Sequence, residues 1–227
     1  MKLFSLWIVL IGLFAANQLY AETIELPLSD FKSIKLYLNA KVNLKQGPKQ
    51  IINITGDKAI IDQINQEVAN GVWDVKFNNT PPAKYSGLVI DITVTDLEAV
   101  SVYGPGSITG QEKITATGRL ALQVYGSGNI QLVANASELE SSIKGSGNIK
   151  VEGSAKVHEV RISGSGNVEA YGFQAPKVSV NTAGSGNAEV YATTHLSVSI
   201  SGSGNVTYRG QPTIDVDIKG SGKLAAE

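Results

Sequence analysis

The chain has 227 residues, a formal net charge of −1 and no cysteine. Near-neutrality leaves no electrostatic footprint for nucleic acid or anionic lipid. The missing thiol excludes disulfides, thiolate-bound zinc, iron–sulfur clusters, thiol nucleophiles and a cysteine-linked lipid anchor. Hydrophobic residues at 42% and charged ones at 17% suit a folding chain, and the oddity is glycine, 24 residues or about 11% against a usual ~7%.

Residues 1–21 read as a signal peptide, with one charge at Lys2, an apolar run from Leu3 to Leu13 and a small residue at Ala21. Its removal leaves 206 residues with 18 basic against 20 acidic side chains, and no second apolar run reaches membrane-spanning length. Residues 22–87 form a mixed N-terminal region continuous with the remainder of the chain. Ile34, Leu36 and Leu38, then Val42 and Leu44, alternate with polar residues as half-buried strands do. Gly47-Pro48 marks a turn before a short strand at Ile52 and Ile54. Ile60, Ile61, Ile64 and Val68 fall at helical spacing, which predicts a helix over 57–70 capped by Asp57 and stopped at Gly71. Trp73, Val75 and Phe77 return to strand alternation.

Residues 88–227 are a repeat. Gly-Ser-Gly-Asn starts at Gly126, Gly145, Gly164, Gly184 and Gly202, with variants at Gly104 and Gly220, and the seven starts lie 22, 19, 19, 20, 18 and 18 residues apart. Two residues before each start stand Val102, Val124, Ile143, Ile162, Thr182, Ile200 and Ile218, and four after it Ile108, Ile130, Ile149, Val168, Ala188, Val206 and Leu224. One strand therefore leads into each turn and another leads out, with like aliphatics at like offsets. Units this small bury an apolar face only by stacking. The predicted fold is all-β, a right-handed parallel β-helix-like solenoid of about seven rungs with one short helix in its N-terminal region. A β-sandwich is the alternative architecture.

In the tetrad, glycine supplies positive φ and close backbone approach, so Gly126, Gly145, Gly164, Gly184 and Gly202 read as structural turns. The serines face solvent. Asn129, Asn148, Asn167, Asn187 and Asn205 either bond the backbone locally or bond one another from rung to rung. At the far end Lys223 replaces the asparagine and guards an edge beyond which only four residues remain; the alternative is that this end packs on another copy.

No catalytic residue, cofactor site or metal site emerges. His158 and His195 fall at different parities with no third ligand near, and the corner serines lack recurring basic or acidic partners. Glu169 and Glu189 occupy equivalent outward positions in neighbouring units, at a separation compatible with a retaining glycosidase pair, but Gln131, Lys150 and Thr207 share their row. Tyr171 and Tyr191 both stand seven residues after a tetrad start and would stack in adjacent rungs. These four residues are the candidate ligand-binding set.

Rungs such as Val124-Tyr125-Gly126-Ser127-Gly128-Asn129-Ile130, preceded by Ile34-Lys35-Leu36-Tyr37-Leu38 in a mixed first region, resemble the bacterial family described as "putative auto-transporter adhesin, head GIN domain", from about Phe31 to Leu224. The resemblance implies a secreted right-handed β-helix-like domain of envelope-associated proteins, without catalytic residues to carry over. The expected role is a non-enzymatic cell-envelope or extracellular interaction domain, adhesin-like, that is periplasmic or secreted and associated with the outer membrane. A carbohydrate-binding or polysaccharide-cleaving β-helix protein is the alternative. The expected partners are a glycan or envelope protein and a second copy of the chain, and no cofactor.

Overall fold

The structure, a computed structural model, describes residues 21–80, 85 and 87–227. The assigned signal peptide therefore lies outside the described residues except for Ala21. The N-terminal region contains β1 (Glu22–Glu25), β2 (Ser33–Leu36), β3 (Lys41–Gln46), β4 (Ile51–Gly56), α1 (Lys58–Ile61), β5 (Val68–Ala69), β6 (Val72–Val75) and β7 (Val89–Val94). The repeat contributes β8 (Ala99–Val102), β9 (Ser107–Thr115), β10 (Arg119–Gly126), β11 (Asn129–Asn135), β12 (Glu138–Gly145), β13 (Asn148–Ser154) and β14 (Val157–Gly164). It ends with β15 (Asn167–Gly184), β16 (Asn187–Gly202), β17 (Asn205–Arg209), β18 (Thr213–Gly220) and β19 (Lys223–Ala226).

These strands stack into a β-solenoid of about seven glycine-cornered turns. Strands entering the corners pair in parallel as one column, β8–β10–β12–β14, the second half of β15, the second half of β16, then β18. Strands leaving the corners form a second column, β9–β11–β13, the first halves of β15 and β16, then β17 and β19. The register sets tetrad on tetrad: Gly126 lies opposite Gly145, which lies opposite Gly164, and so on to Gly220. Val124, Ile143, Ile162 and Ile200 consequently meet in one fully buried row. Each such side chain contributes roughly 1.5–3 kcal/mol over its exposed state.

The corners fix that register. Gly145 sits at φ 133, a region closed to residues with a Cβ. A Cβ on Gly147 would stand 2.2 Å from the Gly128 carbonyl oxygen of the preceding layer. Hydrogen bonding continues around the bend, since the Gly126 carbonyl accepts from both Ser146 N and Gly147 N at 2.9 Å. The asparagines form the inter-rung ladder: Asn148, Asn167, Asn187 and Asn205 each donate Nδ2–H to the Oδ1 of the asparagine one layer before, at 2.9, 3.0, 3.0 and 3.3 Å.

The N-terminal layers are interleaved. The β2–β3 layer lies between β6–β7 on one side and β8–β9 on the other, so chain order and stacking order differ there. Antiparallel β4 continues the second column beyond β7, and β1 pairs on β4. The helix expected over 57–70 is only Lys58–Ile61, with Asp57 accepting from Ala59 N at 2.8 Å as its cap. Beyond it Ile64 bridges Phe77, and Val68–Ala69 folds back on Val72–Trp73. Asn70 and Gly71 carry φ 52 and 71, the pair of positive values a type I′ hairpin requires. Gly71 is thus a hairpin residue and not a helix stop. Ile61 on the helix and Ile64 beyond it are both buried, and Trp73 Nε1–H donates to Asn65 O at 2.9 Å in that interior.

Candidate functional site

The outward residue just before each corner changes character along the first column. Tyr37, Tyr103 and Tyr125 come first, from three successive layers. Their rings stack with centroids 4.6 Å apart at both steps and interplanar angles of 14° and 9°. The strand spacing of ~4.8 Å places like residues at that separation, so the register itself builds the stack. Lys144 Nζ closes it from the next layer, 5.5 Å from the Tyr125 centroid. Because the rings face one another along the solenoid axis, the surface they offer is a row of phenol edges and hydroxyls. Burial, then Asp74 and the neighbouring tyrosine, raise the Tyr37 phenol above its ordinary pKa. Burial, then Tyr125 and Asp74, do the same for Tyr103. Both therefore remain hydrogen-bond donors at neutral pH.

Past Lys144 the large side chains stop and a groove of about 320 Å³ opens, lined by Ser142, Lys144, Arg161, Ser163, Asn181 and Ser201 among others. The small serine and alanine side chains of Ser163, Ala183 and Ser201 form its hollow. Arg161 is held at the rim by Glu159 and by Glu140, the latter at 3.1 Å, and Glu140 also receives Arg119. Tyrosine edges, two cationic groups and hydroxyls thus lie in one line along one face.

The four residues singled out from sequence lie on the second column. Glu169 and Glu189 stand opposite each other in adjacent layers, with Lys150 and Thr207 beyond them in the same row. The tyrosines do not meet as expected. The register shifts between Glu169 and Gln174, so Tyr191 lies opposite Gln174 and not Tyr171. The surplus residues turn Phe173 into the core. Tyr171 instead carries the Arg209 guanidinium over its ring, 4.6 Å from the centroid, while Arg209 pairs with Glu227. The Tyr37–Tyr103–Tyr125 stack is not among the residues expected from sequence, although Tyr103 and Tyr125 share the position immediately before a tetrad start.

His158 is fully buried, with Nε2 3.0 Å from Ser141 Oγ and the Phe173 ring tilted at 60° against it. Burial lowers its pKa to about 3. A serine beside a neutral histidine has the outline of a nucleophile and base, but both are sealed from solvent and His158 Nδ1 has no hydrogen-bond partner. His195 lies at the surface near Thr213 and Asp215, 3.1 and 3.5 Å away. Among the described residues no three histidine or carboxylate side chains cluster as metal ligands, and no helix is long and apolar enough to cross a membrane.

Fold and face together define a parallel β-solenoid with a filled interior and its distinctive side chains on an open outer surface. Residues 30–212 match the family described as "putative auto-transporter adhesin, head GIN domain", and the chain belongs to that family. Three crystal structures are similar over nearly the whole chain. An adhesin so named from Bacteroides fragilis is 23% identical with a TM-score of 0.84, covering 91% of this chain and 97% of its own. One from Parabacteroides merdae is 23% identical with a TM-score of 0.76, over 92% and 96%. A protein from Parabacteroides distasonis named as lipid-binding is 27% identical with a TM-score of 0.75, over 92% and 97%. No curated protein matches the chain.

Proposed function

We propose that this chain is a non-enzymatic, adhesin-like interaction domain of the cell envelope or exterior, and that it meets its ligand on the face carrying Tyr37, Tyr103 and Tyr125 and the adjoining groove. The observation that carries the reading is the stack itself. Tyr37 and Tyr103 are left 40% and 36% exposed in a molecule whose other aromatic side chains include the fully buried Phe31, Trp73 and Phe173. Aromatic area kept at a surface beside hydroxyls and cations suits recognition, because it adds contact at little conformational cost. The family's adhesin description and the apolar leader support the role and the compartment.

A carbohydrate is the ligand class proposed for the groove, since its volume is at the lower end of small-molecule sites and its mostly apolar walls, on which a sugar ring face can lie, are set with serine hydroxyls. The protein applied to an array of cell-wall and surface glycans binds selectively. Tyr103→Ser and the groove-filling Ser163→Lys abolish that signal, while Tyr171→Ser leaves it intact. Loss through Tyr171, Tyr191, Glu169 or Glu189 alone would move the site to the second column. Release of shortened glycan, abolished by Glu169→Gln, would replace this reading with the polysaccharide-cleaving one.

A further inference from the structure

The two ends of the solenoid are finished differently. At the N-terminal end the parallel columns pass into short antiparallel strands, β4 and β1 on one column and the two-residue β5 on the other, with α1 alongside. Such pieces blunt an edge. At the other end β18 pairs with β16 along one side only, and among the described residues its second side is open. The inward positions of β18 continue the core rows, Ile214 on Leu196, Val216 on Val198 and Ile218 on Ile200. The lower members are buried, whereas Ile214, Val216 and Ile218 are 39%, 53% and 39% exposed. They point to the correct side for a core, and among the described residues no further layer covers them.

We propose that this next layer is β18 of a second copy, paired antiparallel about a two-fold axis at Ile218. An isologous contact uses the open end twice and closes, whereas head-to-tail stacking would have to seat parallel strands on the blunted antiparallel end. The charge pattern selects the register. Asp215, Asp217 and Lys219 all point outward, and antiparallel pairing brings same-face residues directly opposite. An axis at Val216 sets Asp215 against Asp217 twice. An axis at Asp217 or Lys219 sets that residue against itself. An axis at Ile218 sets Asp217 of each copy against Lys219 of the other, twice, brings the two Ile218 side chains together and lays Val216 of each copy opposite Gly220 of the other. Within one chain Asp217 and Lys219 are already 3.1 Å apart and well exposed, so the dimer joins two like pairs into a four-membered alternating cluster.

Sedimentation equilibrium of the purified protein across a range of concentrations reads the association. The wild type passes from monomer to dimer as concentration rises. Lys219→Asp, which sets carboxylates against carboxylates, weakens dimerisation about tenfold or more. The double change Asp217→Lys with Lys219→Asp restores it, because the same register again opposes unlike charges. Both positions are at the surface, and circular dichroism verifies that each variant keeps its strands. A protein that stays monomeric at every concentration overturns the proposal. So does a dimer indifferent to Lys219→Asp, or one that the charge exchange fails to restore, since either places the contact elsewhere. The glycan array reads the tyrosine face and not this end, so the two readings stand or fall separately.

Discussion

His158 stands in a column of aliphatic side chains, opposite Leu139 in one neighbouring layer and Val178 in the other. Its interior site tolerates the neutral ring and not the cation, which lowers the folded-state pKa to about 3 against ~6.5 in the unfolded chain. Between those values the unfolded state binds the extra proton, so folding stability is complete above about pH 6.5 and falls as pH drops toward 3. The loss attributable to this one group by pH 4.5 is on the order of 2–3 kcal/mol. Replacing the ring with a side chain typical of its column removes that liability. We expect the urea midpoint of His158→Leu to fall less between pH 7 and pH 4.5 than that of the wild type, whatever its absolute stability. The comparison is best made in a Ser141→Ala background, because losing the ring would otherwise strand the buried Ser141 hydroxyl. Equal acid sensitivity in both backgrounds would show that His158 is not the titrating group.

At the scale of single elements, the asparagine row behaves as a chain of linked bonds. Asn167 donates to Asn148 and accepts from Asn187, whereas Asn205 donates to Asn187 and lies opposite Lys223 in the next layer. Asn167→Ala therefore breaks the row on both sides and should cost about 1–2 kcal/mol, with Asn205→Ala costing roughly half as much. Equal costs in equilibrium denaturation would mean that each asparagine acts locally. This row, the corners and the aliphatic columns were legible in the sequence because each is a fixed offset repeated at nearly constant spacing. What was not legible depends on residues that leave the repeat. Tyr37 belongs to a layer with no tetrad, so nothing in its surroundings announces that it stacks on Tyr103. The surplus between Glu169 and Gln174 slides Tyr171 out of line with Tyr191, although both stand the same distance after a tetrad. Ile60 and Ile61 do lie on the short helix, but Ile64 and Val68 continue its period only by coincidence, and the Asn70-Gly71 turn that governs the segment is a two-residue signal within a longer apparent pattern.

For the molecule as a whole, each turn of the repeat touches chiefly the turns above and below it, which makes stability a sum of like neighbouring interfaces. The N-terminal end departs from this rule, because the β2–β3 layer is clasped between two layers that come later in the chain. The repeat itself should therefore tolerate the loss of one whole turn. Removing residues 145–163 takes out 19 residues and joins Lys144 directly to Gly164. The corner that began at Gly145 is replaced by the equivalent corner at Gly164. The second half of β15 then stacks on β12, its first half stacks on β11, and every inward position keeps its parity. Removing residues 145–154 instead excises β13 with its corner and leaves β12 running into β14 without a turn. The first deletion should give a soluble β protein that unfolds cooperatively, with a melting temperature lower by several degrees for the lost layer. The second should fail to fold or aggregate through the strand left unpaired. Circular dichroism and thermal denaturation of the two shortened chains decide the point, and failure of the in-register deletion would mean that the turns are bound into longer-range dependence than their pairing implies.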